Sequence, residues 1–479
     1  MTLPRASVVA RDGGLGLVGL ADKALAVMGV AIGGTGATGL ASDLVAISTP
    51  EALVDAFVGG PLVDLVALIL AVSGGPVYCC RITGGVAGSV GAVTHSGTGT
   101  AVATLPGTVT DSFDIKVRIT RAGANLAAGT AAMQISLDGG DNYGPELAVP
   151  IAGTYVIPNT GLTLTFADGT FVVADTYVAL TVGPGYNSTN LSNALASVTA
   201  ATSVEVEGLY IAGAASAALA AVADTWAVSE AAAGRYRWVV MEARDQNSGE
   251  SIATWKAAII ADFASFSSVY VGVCAGYGEV LSTITGRSQR RPVGWPIVAR
   301  LGLIPWSEHP GYVGRGGLAG LTALYHDAVS HTDLDTARFI TARTFVRRSG
   351  FYCTRGNLMT VAGSDFRPIQ NRRVLNEACR VALEAMAVYV NSSVRVNAST
   401  GRILEGDALT IEANIAAKLG AALISTGNAS SVSVAVNRTD NILSTNTLRV
   451  AIRVIPLGYA EFIDGDVAFL NPALLPVEV

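Results

Sequence analysis

An apolar run over residues 24–32 predicts a strand, and the glycines at 33, 34, 36 and 39 end it. A second short strand is expected over 44–47. Ser48-Thr49-Pro50-Glu51 has the chemistry of a helix start: a hydroxyl cap, an early proline and an acid in the first turn. That helix is expected to reach Phe57, a second to cover 61–72, and a strand to cover 76–82. From 86 to 187 the period shortens to two. Phe113, Ile115, Val117 and Ile119 alternate with Asp114, Lys116, Arg118 and Thr120, as on a half-buried strand. Met133, Ile135 and Leu137 repeat the pattern, and residues 177–182 close the set. Residues 162–166 and 170–173 flank Asp168-Gly169, a hairpin signal. About seven short strands suggest a β-sandwich of ~100 residues, inserted between α/β segments.

Strands are expected again over 203–207 and 238–242, with Ala-rich helices over 212–225 and 226–234. The apolar run 208–223 reads as a buried helix, and further apolar runs occupy 257–260 and 268–274. A helix over 373–390 carries Val374, Ala378, Val381, Ala382 and Ala385 on one stripe. A second helix follows over 406–420. Val432, Val434 and Val436 then alternate with small or polar residues, as do Leu448, Val450, Ile452 and Val454. Pro456-Leu457-Gly458 breaks the run before a last strand over 460–470. The other end carries Ser7-Val8-Val9-Ala10-Arg11, a strand tethered by Gly13, Gly14 and Gly16. Such a strand has no local partner, so it is either unordered or paired elsewhere. Ordering ~10 residues opposes assembly by ~10–20 kcal/mol, which predicts that these arms order only when they pair.

Composition narrows the class. Hydrophobic residues make up 50 % of the 479 positions, which excludes an intrinsically disordered chain. Charged residues reach only 14 %, against about 25 % in an ordinary soluble domain. Surface is therefore expected to be buried against other subunits. The net charge of −6 argues against nucleic acid as a direct partner. Cys79, Cys80, Cys274, Cys353 and Cys379 form no CxxC pair and read as free thiols. The apolar run 65–72 is too short for a bilayer, which needs ~20 residues, so no membrane insertion is expected.

Candidate chemistry is sparse. Gly34, Gly36 and Gly39 match GxGxxG, but another strand-like run follows where a dinucleotide site needs a helix. His326 and His331 stand five apart, which aligns no two ligands on a helix, and His95 and His309 lie far off. No catalytic, cofactor or metal residues are assigned, and the chain is not expected to be an enzyme. Arg287, Arg290 and Arg291 form one basic cluster; Arg367, Arg372, Arg373 and Arg380 form another. Either is a solvated face or a docking surface.

Several segments together resemble the contractile tail sheath proteins of phages and contractile injection systems. These are Ile47-Ser48-Thr49-Pro50-Glu51-Ala52-Leu53, Pro76-Val77-Tyr78-Cys79-Cys80-Arg81-Ile82, Tyr325-His326-Asp327, and Leu334-Asp335-Thr336-Ala337-Arg338-Phe339. Later ones are Gly363-Ser364-Asp365-Phe366, Asn371-Arg372-Arg373-Val374, Pro456-Leu457-Gly458-Tyr459 and Phe469-Leu470-Asn471-Pro472. The resemblance implies an α+β / α/β multidomain fold: a tail-sheath-like core with an inserted all-β sandwich domain and extended N- and C-terminal strand arms. The expected units are an arm over 1–22, a core over 23–85 with 188–365, an outward insert over 86–187, a tube-facing C-terminal unit over 366–459, and an arm strand over 460–479. Ser7, Val8, Val9, Ala10, Arg11, Phe462, Ile463, Val467 and Phe469 are the expected inter-subunit strand residues. Arg372, Arg373 and Arg380 are the candidate tube contact. The implied function is mechanical: a homo-oligomeric helical sheath around a tail tube protein, joined by strand exchange, that contracts to drive the tube through a target envelope. Baseplate and tail terminator proteins are further implied partners, and the place is the virion tail, assembled in the host bacterial cytoplasm. No cofactor is implied. The alternatives are another self-assembling tube or shell without contraction, and a cytosolic α/β enzyme with a β-sandwich insert.

Overall fold

The computed structural model describes residues 24–247 and 249–465. Its centre is a six-stranded sheet in the order Val271–Cys274, Trp238–Ala243, Val206–Ala215, Ala24–Gly29, Val77–Arg81, Val45–Ile47. All neighbours run parallel except the last pair. Successive residues of Ala24–Gly29 serve two cores. Leu25 and Val27 face Leu65, Ile69 and Ile297 on one side. Ala26 and Met28 face Leu195, Ala223 and Ile259 on the other. A parallel sheet covered by helices on both faces explains why its strands read as unbroken apolar runs.

The first helix starts as expected: Pro50–Phe57, with Thr49 Oγ1 accepting the Ala52 N–H at 3.2 Å. The run 208–223 is corrected. Its first half continues the buried strand Val206–Ala215, and the helix Ala217–Ala232 begins only after the Ser216 cap. It is one helix, where two were expected over 212–234. Apolarity cannot separate a strand buried on both faces from a buried helix.

Residues 89–182 form nine short strands in two antiparallel sheets. Thr176–Val182 pairs with Asp114–Arg121, and Leu162–Phe166 pairs with Thr154–Ile157. Between the sheets lie Ile115, Val117, Met133, Leu164, Phe166 and Tyr177. The hairpin expected at Asp168-Gly169 is absent. Phe171 turns into this core and its backbone pairs with Gly123, while the Asp168 carboxylate accepts the Leu126 N–H at 2.9 Å. Burying the ring outweighs a local hairpin.

A buried clamp joins these sheets to the centre. Arg291 donates to both carboxylate oxygens of Asp111 at 2.7 and 2.6 Å, and to Asp64 at 3.0 Å. Gln289 and Ser282 complete the set, at 2.6 Å to Arg291 and 2.7 Å to Asp64. Arg290 grips Asp245 with two hydrogen bonds. Of the basic cluster around 290, Arg291 is thus spent inside the molecule, and Arg290 pairs at the surface.

Candidate assembly site

Residues 369–455 carry a two-stranded sheet whose edges are both unpaired by another strand among the described residues. The helices Ile369–Ala387 and Glu405–Leu419 pack together, and the second covers the strand Ser431–Val436. That strand pairs antiparallel with Val450–Ile455 and with no other strand among the described residues. The alternation places Val432, Val434, Val436, Val450, Ile452 and Val454 on the helix-facing side, beside Ile411, Ile415 and Leu419. Only Val436 of those six is fully buried. The apolar face is wider than the helix that covers it.

Hydrogen-bond direction follows from register. Asn437 N–H donates to Arg449 O, so 435/451, 433/453 and 431/455 are the bonded pairs. Val432, Val434 and Val436 therefore turn their peptide groups to one edge, and Val450, Ile452 and Val454 to the other. The two edges differ. On the first, the Glu412 carboxylate accepts the Val436 N–H at 2.6 Å, and Arg438 donates to the Val436 carbonyl at 2.9 Å. Arg438 also pairs with Glu405 at 2.8 Å. Its hydrogen bonds, followed by that of Val436, hold the Glu412 carboxyl below its usual range. On the second edge the outward peptide groups have no partner among the described residues.

The unit is fixed to the central sheet through a buried carboxylate. Glu207 accepts from Arg373 Nε at 2.7 Å, Trp238 Nε1 at 3.1 Å and Trp306 Nε1 at 3.2 Å. Burial pushes its carboxyl up, but the Arg373 charge and the hydrogen bonds of Arg373 and Trp238 hold it below its ordinary value. Gly208 makes room: a Cβ there would lie 2.0 Å from the Trp238 indole.

Two of the three candidate tube-contact arginines are buried, and Arg380 is half-buried. Arg373 is 1 % exposed on Glu207, and Arg372 is buried over the Tyr270 ring at 4.0 Å. Arg380 reaches Glu377 at 2.7 Å and Glu205 at 3.6 Å. Arg373 is thus held by a buried carboxylate and Arg372 by aromatic rings of this chain. Ser7, Val8, Val9, Ala10, Arg11, Val467 and Phe469 lie outside the described residues. Phe462 and Ile463 are 77 % and 85 % exposed, and residues 460–465 form no strand. Sequence reading missed the segment's anchor. Tyr459 OH donates to Ser307 O at 2.5 Å, and Arg355 pairs with Glu461 at 3.0 Å. Nothing local announces a pair separated by a hundred residues.

Of the remaining candidates, His326 has a structural role. His326 is buried, stacks on Trp255 at 4.3 Å and accepts the Tyr277 N–H at 3.0 Å; burial drives its pKa down to about 4. Among the described residues no group of three or more His, Cys, Asp or Glu could hold a metal ion. No helix among them is long and apolar enough to cross a membrane.

Glu242 is the one strongly raised acid of the central sheet. Burial pushes it to about 7, against hydrogen bonds from Tyr210 OH at 2.6 Å, the Gly213 N–H and Trp295 Nε1 at 3.2 Å. Its folded pKa exceeds its unfolded one, so the native state binds more protons between about pH 4.5 and 7. Its contribution to stability is full below that window and falls through it. Thermal melts of the wild type should therefore decline from pH 5 to 7.5, and Glu242→Gln should flatten that slope. An unchanged slope in Glu242→Gln would show that other groups carry it.

Comparison with known proteins gives the following. The family model described as the DUF2586 N-terminal domain matches residues 3–357, and that of the DUF2586 C-terminal domain matches residues 365–474. The chain is similar to the helical sheath of the anti-feeding prophage in its contracted state. Identity is 12 %, TM-score 0.53, and 98 % of this chain and 99 % of that chain are covered. It is similar to the sheath complex of an extracellular contractile injection system, PVC, in its contracted state: 12 %, 0.53, and 98 % of each chain. A sheath tail protein from Desulfitobacterium hafniense shows 12 % identity and a TM-score of 0.47, over 95 % of this chain and 100 % of that one. No curated protein matches the sequence. The fold is that of contractile sheath subunits.

Proposed function

This chain belongs to the DUF2586 family, and from that premise and the sheath fold we propose that it is the structural subunit of a contractile tail sheath. Copies polymerise helically around a tail tube and contract to drive the tube through a target envelope. Baseplate and tail terminator proteins bound the assembly, in a virion tail put together in the host cytoplasm. The chain acts by assembly and not by catalysis.

The observation that carries this reading is the two-stranded sheet of 431–436 and 450–455, with apolar surface left over and both edges unpaired by another strand among the described residues. An open edge of that kind either aggregates or receives a strand. The terminal segments 1–22 and 460–479 supply strands in trans. A head-to-tail contact of this type does not close on itself and builds a helix of subunits. Contraction then needs no nucleotide, because assembly loads a metastable arrangement held by a barrier.

Negative-stain electron microscopy tests it, on the full-length chain and on one lacking residues 1–14. Hollow helical tubes are expected from the first and not from the second. Uniform small particles from both would overturn the reading.

A further inference from the structure

Charge is segregated along this chain, and the fold leaves part of it uncompensated. Residues 24–80 carry Asp43, Glu51, Asp55 and Asp64 and no Lys or Arg; residues 336–364 carry five arginines and no acid. Within the molecule Asp64 meets Arg291, Asp43 accepts from Thr38 and Ser197, and Arg355 meets Asp335. Arg338 donates to backbone carbonyls, and Arg343 stacks over the Phe345 ring at 4.3 Å. Glu51, Asp55, Arg347 and Arg348 are exposed and have no ion pair or side-chain hydrogen bond among the described residues. Resting on the sheath reading above, we propose that the hairpin tip Phe345–Arg348 of one copy docks on the Glu51 and Asp55 face of the helix Pro50–Phe57 of a second copy.

The hairpin breaks local preference at its tip. Its strands Ala342–Phe345 and Arg348–Cys353 pair with Phe345 opposite Arg348, so Val346 and Arg347 make the whole turn. A turn of that length favours Asn-Gly or a similar pair. Here Val346 is 91 % exposed, and Arg347 stands at a φ of 62°. An apolar tip gains nothing from water, and a left-handed arginine is strained. Departures of this kind gather where a surface has work to do. The stem is stiff: Phe345 lies edge-on to Tyr352 at 5.3 Å, and Tyr352 OH donates to Ser349 O at 2.8 Å. A preformed knob loses little entropy when it docks.

The helix has the opposite chemistry. Glu51 and Asp55 stand one turn apart, where like charges repel. Asp55 also lies in the last turn, where the helix dipole disfavours an acid. Val58, which ends the helix at a φ of 66°, is 54 % exposed. Positions 51, 55 and 58 follow the i, i+4, i+7 spacing of one face. Two acids and a valine therefore match two arginines and a valine. The rise from 51 to 55 is about 6 Å, which two long arginine side chains can span. Within one copy these surfaces do not meet, so the contact forms in trans. It joins two different patches, which leaves it open-ended, as a helical assembly requires. Nucleic acid or an anionic membrane would call for a broader basic field than two arginines on a chain of net charge −6.

Full-length variants test this, read as tube yield by sedimentation and electron microscopy. Arg347→Glu with Arg348→Glu, and Glu51→Lys with Asp55→Lys, should each cut the yield by about tenfold or more, because like charges then face each other. The quadruple variant should recover to within about threefold of wild type, since the pairing is restored with its signs exchanged. Monomer size and circular dichroism confirm that each variant folds. In parallel, a chain with Val346→Cys and Val58→Cys should give a ladder of linked copies when its tubes are mildly oxidised, and wild-type tubes should not. Wild-type yield from either double reversal, no recovery in the quadruple variant, or no ladder from the cysteine variant's tubes would each overturn the inference. An arginine reversal that spares the sheath but stops its growth on a tail tube would also overturn it, by giving the hairpin to the tube. Those results leave the sheath reading standing, whereas a wild type that never forms tubes removes that reading and this inference together.

Discussion

Arg373→Ala should loosen residues 369–455 from the central sheet while leaving the sheet itself intact. The substitution strands the Glu207 carboxylate, 2 % exposed, with only the indole N–H groups of Trp238 and Trp306. Removing one partner of a buried pair destabilises by about 3–5 kcal/mol, because the remaining charge stays desolvated. Hydrogen exchange in the helix Ile369–Ala387 should then speed up by about a hundredfold or more, the factor that such an energy implies. Glu207→Gln with Arg373→Met should be much milder, since no charge is left behind. The pH behaviour has a definite sign. Glu207 is held below its unfolded pKa, so its stabilisation is present above about pH 4.5 and is lost as acid protonates the folded carboxyl. Acid should therefore release this seam in the wild type, and Arg373→Ala should remove that acid dependence. Equal exchange in wild type and Arg373→Ala would mean that Ser307–Asn428 and the apolar contacts of Trp306 hold the units without the ion pair.

Asp111→Ala should set the two sheets of 89–182 moving relative to the centre. Asp111 and Arg291 are 4 % exposed each, and their two hydrogen bonds are the geometry in which arginine binds carboxylate most tightly. Arg291 would keep Asp64 and Gln289, so the core is expected to survive while the insert's anchor is lost. An energy of the same order, about 3–5 kcal/mol, applies. Limited proteolysis should show new cleavage near 84–88 and 183–187, and the fragment 89–182 should stay folded on its own core. Asp111→Asn keeps one acceptor and should fall between. Wild-type proteolysis of Asp111→Ala would show that the clamp is dispensable.

These two effects were not visible in the residues as a string. Arg373 stood out as basic and helical, and its partner Glu207 lies 166 positions earlier. Arg291 was equally visible as charge, and Asp111 lies 180 positions before it. A charged residue reads as surface in a sequence, because its usual partner is water; a carboxylate from another unit reverses that, and only the folded chain supplies it. The same limit explains residues 208–215, where apolarity without alternation fits a strand covered on both faces as well as a helix.

Local chemistry carried the rest. Thr49-Pro50-Glu51 started a helix because capping and proline geometry act within one turn. Period-two alternation over 113–119 and 432–454 produced strands with the expected face inward, since side-chain parity needs no distant information. The terminal segments read as strands without a partner, but residues 460–465 form none. Which edges stand open, which of the two Glu412 and Arg438 occupy, and where Tyr459 and Arg355 aim the chain came from the tertiary arrangement. Periodicity reports how a residue relates to its own backbone; which elements meet, and which edge is left free, depends on groups that the chain brings together from far apart.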